Sequence, residues 1–296
     1  MAELLSDFLS KPLPKVPHII GRGVLPNRAL MVVGGEPKAN KSFVILNMAV
    51  DLARGRSIFG ATFHDSGKPV LPVPHPVRVL YIEQEIGDEG VRDRMLPMFG
   101  GEVPFGLDLY IKSRDMAMRL DTDEGKLAIA QEIEQVKPHV LILDPLAEFQ
   151  LINENSAQEM GATIRVLKRW IEKYDLSVIL VHHVAKPDFE HPRKGGNALR
   201  GSGALFGAVD SYIRVTRKSE GDHPTPTLEL SFELRRGKPV HPIYVVREES
   251  GLITYKGGKW DAGVTLEQPI LDAAPAFTAE RKARKKAMAA SFKPEL

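Results

Sequence analysis

The chain has 296 residues, 43% of them hydrophobic and 26% charged, which is typical of a globular protein with a sizeable core. Its 40 basic and 38 acidic residues leave a net charge of +2, so bulk charge does not argue for nucleic acid binding. The absence of cysteine excludes disulfides and argues against structural zinc, and no apolar run reaches the ~18–20 residues of a membrane span. The N-terminus lacks the apolar core of a secretory signal, so we expect a cytoplasmic protein with no membrane partner.

The two ends of the chain differ in composition from the middle. Pro12, Pro14 and Pro17 predict an extended arm over residues 1–20, because proline at this density disfavours helix and sheet. One domain is expected over residues 21–260. Residues 261–296 are expected to form a flexible or helical basic tail, since Glu280–Lys286 carries five basic residues against one acidic residue.

Between these ends the pattern alternates strands with helices. The sequence predicts strands at Ala29–Val33, Val77–Ile82, Leu107–Ile111, Val140–Leu143 and Ser177–Val181, and helices from Phe43 to about Gly55, over 86–99, from Asp121 with Glu124 as a capping box to Pro138, and after Ser156 with Glu159. From Val209 the helices stop, and Thr227–Leu234 alternates apolar and polar residues. The prediction is an α/β fold with a mostly parallel central sheet, helices on both faces and antiparallel strands on the C-terminal side.

The loop after the first strand has the order of a phosphate-binding P-loop. It reads Gly35, Glu36, Pro37, Lys38, Ala39, Asn40, Lys41, Ser42 and Phe43, and its backbone N–H groups and following helix would receive the phosphates of ATP. Lys41 would reach the β- and γ-phosphates and Ser42 would hold Mg²⁺. The alternative is an ordinary strand–turn–helix with a chance lysine.

Asn40 stands where the P-loop pattern has glycine. Asparagine tolerates left-handed backbone angles, so Asn40 is expected to keep the shape of the loop while its side chain crowds the phosphates. We therefore expect intact folding with weakened or altered nucleotide binding.

Acidic side chains follow two predicted strands. Asp144 ends the Val140–Leu143 strand and would support Mg²⁺ through water beside the neighbouring P-loop, unless it only initiates a turn with Pro145. Glu83 and Glu85 end the Val77–Ile82 strand, and either could activate the attacking water or simply be a solvated strand end.

The end of the Ser177–Val181 strand carries His182 and His183. No further ligands stand at zinc-binding spacing, so one of these side chains is better suited to sense the γ-phosphate. The following loop, 187–202, is basic at Arg193, Lys194 and Arg200, which suits contact with phosphates as well as a plain surface loop.

Two arginines, Arg235 and Arg236, follow the alternating strand. They could reach the γ-phosphate bound by a neighbouring subunit, or they could be charges that protect an edge strand.

Together these motifs resemble the RecA-like P-loop ATPases, particularly the RepA-type and DnaB-type replicative helicases of plasmids and phages. The resemblance covers about residues 20–255 and is carried, in family order, by GGEPKANKS, LYIEQE, VLILDPL, VILVHHVAK, ALRGSGAL and ELRRGKP.

The resemblance implies roles that spacing cannot assign. It implies Glu85 as the catalytic glutamate, His183 as the γ-phosphate sensor, Arg235 and Arg236 as residues acting in trans, and the loop from Lys186 to Ser202 as the DNA-facing segment. It also implies a homo-oligomer, usually a hexameric ring with ATP between subunits, single-stranded DNA as partner, and a bacterial, plasmid or phage context. No primase-binding domain precedes the motifs, so a RepA-type single-domain motor is expected rather than a full DnaB-like helicase.

Three functions follow as hypotheses. The first is an ATP-dependent, DNA-binding motor of replication or recombination. The second is a nucleotide-binding regulator or DNA-binding scaffold with weak or no ATPase activity because of Asn40. A small-molecule kinase is the third and has less support, because no acceptor lid is evident.

Overall fold

The computed structural model describes residues 3–11, 17–152, 156–183, 203–218 and 224–258. The predicted DNA-binding residues Lys186, Arg193, Lys194 and Arg200 lie outside these ranges, as does the predicted tail, 261–296. Within the described ranges, no helix combines the length and apolarity needed to cross a bilayer.

The described residues form eleven strands, six α-helices and two short 3₁₀ helices. In chain order they are α1 (Leu5–Ser10), β1 (His18–Ile20), β2 (Leu25–Pro26), β3 (Leu30–Gly35), α2 (Lys41–Arg54), a 3₁₀ turn (Ile58–Gly60), β4 (Val79–Glu83), α3 (Gly87–Met98), β5 (Leu109–Ser113), α4 (Asp123–Val136), β6 (Val140–Asp144), a 3₁₀ turn (Leu146–Phe149), α5 (Ala157–Tyr174), β7 (Ser177–His183), α6 (Gly203–Ala208), β8 (Ser211–Arg217), β9 (Thr227–Leu234), β10 (Ile243–Arg247) and β11 (Ile253–Gly258).

Nine of the strands form one mixed sheet in the order β11-β10-β9-β8-β3-β7-β6-β4-β5. The six strands from β8 to β5 run parallel, whereas β9, β10 and β11 are antiparallel. The parallel strands therefore all end at one edge of the sheet, which we call the carboxyl edge, and begin at the opposite, amino edge. This arrangement confirms the predicted fold class.

Helices cover both faces of the sheet because successive strand residues point to opposite sides. Met31 and Val33 of β3 pack in the cluster that contains α2, whereas Leu30 and Val32 pack in the cluster that contains α4 and α5. The central strands β3, β4, β6 and β7 are largely apolar for this reason, since they are buried on both faces, whereas the edge strand β5 is partly exposed.

Local signals set several helix ends, one of them at a residue other than the predicted one. Gly55 ends α2 in a left-handed conformation at φ 64°, and Ser156 caps α5 by accepting a hydrogen bond from Glu159 N, as predicted. The predicted cap of α4 at Asp121 is wrong, because the Thr122 side chain accepts from Gly125 N instead. Asp121 forms an ion pair with Arg119 at 2.6 Å.

The N-terminal segment differs from the extended arm that its prolines predicted. Leu5–Ser10 form helix α1, which ends before Pro12, so the prolines do not interrupt it. His18–Ile20 pair with Leu25–Pro26 in a small antiparallel hairpin. The division into arm, domain and tail stays a prediction.

Candidate active site

The loop between β3 and α2 begins at a glycine that the fold requires. A Cβ on Gly35 would lie 2.6 Å from the Val215 carbonyl oxygen, on the neighbouring strand β8, and 3.4 Å from the Lys41 side chain. A side chain here would therefore displace either the sheet backbone or the lysine. The predicted phosphate-binding loop therefore begins with a tightly packed turn at the carboxyl edge.

Asn40 adopts the left-handed conformation that its residue type tolerates, with φ 64° and ψ 25°. It stands at the N-cap of α2, yet its side chain makes no capping hydrogen bond. Its carbonyl oxygen accepts the first helical bond, from Val44 N at 3.0 Å. The left-handed backbone predicted for Asn40 is confirmed. Asn40 contributes to the start of the helix through its backbone and not through its side chain.

Lys41 is almost completely buried, with 6% of its surface exposed. Its Nζ donates to the Glu36 carbonyl oxygen at 2.9 Å and lies 3.1 Å from His183 Nδ1. Burial lowers the pKa of Lys41 to about 8, against the opposing effect of the nearby charges of Asp144, Glu85 and Glu36. A protonated Lys41 makes His183 Nδ1 an acceptor, which places the proton of a neutral His183 on Nε2.

Asp144 lies one strand further from the loop than its sequence suggested. Strand β7 stands between β3 and β6, so the strand of Asp144 does not neighbour the P-loop strand. The carboxylate is nevertheless close enough to raise the pKa of Lys41, and the Ser42 hydroxyl is close enough to stabilise its charged form. Asp144 is therefore close to the P-loop, as expected, although the expected pairing of its strand with the P-loop strand was wrong.

The Asp144 carboxylate is buried and only half satisfied. Oδ2 accepts a 2.6 Å hydrogen bond from the Tyr81 hydroxyl, whereas Oδ1 has no hydrogen-bond partner of normal geometry among the described residues. Burial raises the pKa of Asp144 to about 6, the Tyr81 and Ser42 hydroxyls oppose this rise, and the charges of Glu83 and Glu85 add to it. A buried carboxylate with an open oxygen beside a serine hydroxyl fits a divalent cation.

The donor set favours Mg²⁺ of a nucleotide complex over a metal held by protein alone. The described residues contain no cluster of three or more histidine, cysteine or acidic side chains that could cage a metal ion. Mg²⁺ needs no such cage, because it commonly takes one or two protein oxygens together with phosphates and water. Ser42 and Asp144 are the residues that would hold it.

The structure separates the two glutamates that the sequence left as alternatives. Glu83 is 2% exposed, and its carboxylate accepts from the backbone N–H groups of Glu85, Ile86 and Gly87 at 2.5, 2.6 and 2.9 Å. Glu85 is exposed, and its charge acts on both Lys41 and Asp144. Glu83 therefore holds the loop, and Glu85 is the carboxylate available to a substrate.

Comparison with known proteins identifies the family and the fold of the chain. The sequence matches the AAA domain family over residues 1–188, which is more than half of the chain. The chain belongs to the AAA domain family. No curated protein matches it in a sequence search.

Among solved structures, this AAA family member is similar to a KaiC-like protein from the hyperthermophilic archaeon Pyrococcus horikoshii OT3. The two share 12% sequence identity over 80% of this chain and 93% of the other, with a TM-score of 0.51. At that identity the likeness is one of fold. Family and fold together make the chain a nucleotide-binding P-loop ATPase with a RecA-like core.

Two residues of this AAA family ATPase were missed from the sequence as parts of the site. Tyr81 was assigned only to a strand, and Glu83 only as a possible base. Tyr81 lies in a strand that is wholly buried. A buried tyrosine hydroxyl usually has a hydrogen-bond partner, so the residue type alone indicated a polar contact. The residue that it contacts is 63 positions away and could not be identified from the sequence.

The structure does not bring Arg235 and Arg236 to the P-loop of the same chain. Strand β9 is antiparallel, and its last residue pairs with Ser211 at the start of β8, so both arginines lie at the amino edge. The Arg235 side chain donates to the Gly207 carbonyl oxygen there. The alternative that these charges protect an edge strand is wrong, because β9 lies between β8 and β10.

Proposed function

We propose that this AAA family ATPase is an ATP-dependent, DNA-binding motor of replication or recombination, similar to the RepA-type helicases. The proposal of ATP hydrolysis is supported mainly by electrostatic interactions among three side chains that come from three separate segments of the chain. The charges of Asp144 and Glu85 act on Lys41, and the charge of Glu85 also acts on Asp144, at the carboxyl edge, where open α/β sheets bind ligands.

These residues suit the hydrolysis of ATP to ADP and phosphate. Glu85 would accept a proton from the water that attacks the γ-phosphorus, as the bond to the β-phosphate oxygen breaks. Lys41 would leave the Glu36 carbonyl oxygen to contact the phosphates, and His183, 3.1 Å from Lys41, would then contact the γ-phosphate. Mg²⁺, when bound by Ser42 and Asp144, would neutralise the charge that develops on the phosphate oxygens.

Arg235 and Arg236 could contribute to a nucleotide site only in a neighbouring subunit. Four residue steps of β3, from Met31 to Gly35, separate the amino edge from the P-loop, or ~13 Å at 3.3 Å per residue. Completion of a site by these arginines therefore requires a second subunit. The proposed homo-oligomer, a hexameric ring with ATP between subunits, follows from the resemblance to the RepA-type and DnaB-type helicases.

Single-stranded DNA is the proposed partner. Its support is the order of the family motifs and the basic residues Lys186, Arg193, Lys194 and Arg200. A substitution of Lys194 and Arg200 by glutamine should weaken DNA stimulation of hydrolysis and leave basal hydrolysis unchanged.

The test is ATP hydrolysis by the full chain with and without single-stranded DNA, with electron microscopy in a slowly hydrolysed ATP analogue. We expect turnover that DNA stimulates, and a ring on DNA. Turnover without any DNA binding would reject the motor and retain the ATPase.

The second candidate is a nucleotide-binding regulator or DNA-binding scaffold, which Asn40 favours. Its side chain stands at the helix start, where the P-loop pattern has no side chain at all. Comparison of ATPase activity in the wild type and Asn40→Gly separates the two candidates. Activity that appears only in Asn40→Gly would support the scaffold, and robust wild-type turnover would reject it.

A further inference from the structure

Helix α3 carries the candidate base Glu85 at its start. Glu85 stands two residues before Gly87, the first residue of α3, and the Glu83 carboxylate ties this loop to the helix by accepting from three backbone N–H groups. Three of the twelve residues of α3 are buried, namely Gly87, Val91 and Met98. An element with few buried residues is held loosely by apolar packing, so other contacts must fix where Glu85 lies.

Two contacts between an arginine and a phenylalanine join α3 to α2. At the P-loop end, the guanidinium carbon of Arg94 on α3 lies 5.1 Å from the centre of the Phe43 ring on α2. At the far end the pair is reversed, because Arg54 of α2 lies 5.1 Å from the ring of Phe99, which follows α3. Both arginines are half-buried. The face of the ring attracts the cation, and this attraction is stronger where water is partly excluded.

A third element confines the Phe43 ring. Arg247, the last residue of β10, has its guanidinium carbon 4.8 Å from the centre of the same ring. In the turn between β10 and β11, a Cβ on Gly251 would lie 2.8 Å from Cε1 of the ring. The ring therefore has little room to move, and it can serve as a fixed point of attachment for α3.

Like charges meet at this ring. Burial lowers the pKa of Arg247, and the charges of Arg217 and Arg94 add to this effect. Within the described ranges Arg94 forms no ion pair with an acidic side chain, so attraction to the Phe43 ring holds its guanidinium near a second cation. Removal of the ring should therefore separate the two arginines and release α3.

We propose that Phe43 and Arg94 are positioning residues for ATP hydrolysis. Phe43 directly follows Ser42 in the first turn of α2. Its contact with Arg94 therefore links the P-loop to the helix that begins beside Glu85, and sets the distance between Glu85 and the phosphates. The inference rests on the proposed role of Glu85 in hydrolysis and is independent of DNA binding.

Substitution of the ring tests this role in the full chain. Phe43→Leu keeps an apolar side chain at this position but removes the ring, so α3 loses its point of attachment. Because a misplacement of ~1 Å can cost about 10²-fold in rate, we expect kcat for ATP hydrolysis to fall at least about tenfold while KM changes less than about threefold. Unchanged kcat in Phe43→Leu would overturn the proposal.

The other side of the contact offers a conservative variant. Arg94→Met removes the charge from a long side chain and should lower kcat as Phe43→Leu does. Arg94→Lys keeps a cation over the ring and should retain at least about half of the wild-type kcat. Equal losses of kcat in the methionine and lysine variants would contradict the role of the cation.

The double variant tests whether the two residues act through one contact. When Phe43→Leu and Arg94→Met are combined, kcat should fall no further than in the more affected single variant, because each change already breaks the contact. Losses that multiply would show separate roles and would overturn the proposal.

The contact at the far end of α2 supplies matched controls. Arg54→Met and Phe99→Leu remove the same kind of contact at the same distance, so the melting temperature should fall in both sets of variants. Arg54 lies three helical turns from Phe43, or ~16 Å, and kcat per folded molecule should therefore stay at the wild-type level in the controls. An equal loss of kcat in the controls would mean that general loosening of the helices lowers activity, which would overturn the proposal.

Glu85→Gln in the same assay separates this inference from the function on which it rests. Normal turnover in Glu85→Gln would reject the base together with its positioning. An inactive Glu85→Gln combined with normal kcat in Phe43→Leu would reject the positioning role alone.

Discussion

The carboxyl and amino edges of the same parallel sheet use two buried polar side chains, Asp144 and Ser177, in different ways. At the amino edge, Ser177 Oγ accepts from Ala29 N at 3.3 Å and donates to the Pro26 carbonyl oxygen at 3.1 Å. Asp210 accepts from Leu30 N at 3.0 Å. These side chains complete the hydrogen bonding of the backbone, which is a structural role.

At the carboxyl edge the polar groups are buried but unevenly satisfied. Asp144 keeps one oxygen without a hydrogen bond, and burial shifts the pKa values of Asp144 and Lys41 towards each other, to about 6 and about 8. Buried groups that remain poorly satisfied destabilise the fold and are therefore concentrated at sites that bind ligands. Ser177 and Asp210 therefore help to build the sheet, whereas Asp144 and Lys41 are residues that we propose act on a nucleotide.

The largest expected effect is at Glu85. Glu85→Gln removes the carboxylate that would activate water, so we expect kcat for ATP hydrolysis to fall by about 10²–10⁴-fold while ATP binding is retained. The measurement is steady-state turnover together with nucleotide affinity. Glu89→Gln, an exposed change on α3, is the control, and normal turnover in Glu85→Gln would reject the assignment.

Asp144→Asn should stabilise the fold while it removes activity. Burial raises the pKa of Asp144 from 3.8 to about 6, so the folded state binds this proton more tightly and stability is lost as pH rises between these values. An uncharged asparagine avoids that loss, which is about 3 kcal/mol at most, for two pH units at ~1.4 kcal/mol each.

Urea unfolding at pH 7 and pH 4 checks the sign of this effect. The gain should be present at pH 7 and absent at pH 4, where Asp144 of the wild type is protonated in the folded state. Asp210→Asn at the amino edge should show no gain at either pH. A loss of stability in Asp144→Asn at pH 7 would remove the contrast between the edges.

Tyr81→Phe should move the pH dependence of hydrolysis. The hydroxyl stabilises the charged form of Asp144, so its removal raises the pKa of Asp144 further and shifts the acidic limb of the ATPase profile to higher pH. One hydrogen bond to a charged group, ~1.5–3 kcal/mol, corresponds to about one to two pH units. Tyr212→Phe is the control, since the buried Tyr212 hydroxyl has no partner among the described residues and should leave the profile unchanged.

Ser177→Ala should lower stability without affecting chemistry. The loss of two hydrogen bonds should lower the free energy of unfolding by ~1–2 kcal/mol and leave kcat per folded molecule unchanged. Ser211→Ala is a matched control at the same edge, because the buried Ser211 hydroxyl has no partner in the described residues. We expect Ser211→Ala to be neutral or slightly stabilising, and a drop in kcat in Ser177→Ala would contradict the structural role.

The smallest effect is expected at Asn40. Asn40→Gly keeps a residue that accepts φ 64° and removes the side chain beside the phosphates, so nucleotide affinity should rise several-fold while stability changes by about 0.5 kcal/mol or less. Isothermal titration with ATP measures the nucleotide affinity, and scanning calorimetry of the free protein measures its stability. Lys38→Gly relieves another left-handed residue of the same loop, φ 63°, and should not raise affinity. Unchanged affinity in Asn40→Gly would mean that the asparagine does not crowd the phosphates.

Local patterns were sufficient for much of the fold. The aliphatic runs predicted the strands, Gly55 and Ser156 predicted helix ends, and alternation predicted β9. Each of these features depends on residues within a few positions of one another. Helix α1 was missed because proline content was averaged over the whole arm, although the prolines come after the helix.

For the candidate site, the sequence by itself determined which residue types stand at the strand ends and that Asn40 could adopt a left-handed backbone. Tertiary structure decided that β7 separates β3 from β6, that Glu83 is occupied by three backbone N–H groups while Glu85 remains exposed, and that Arg235 lies at the amino edge. These outcomes depend on strand order and on contacts between distant segments. Short-range periodicity predicts strands and turns because it reports burial, but it carries no information on which strands become neighbours.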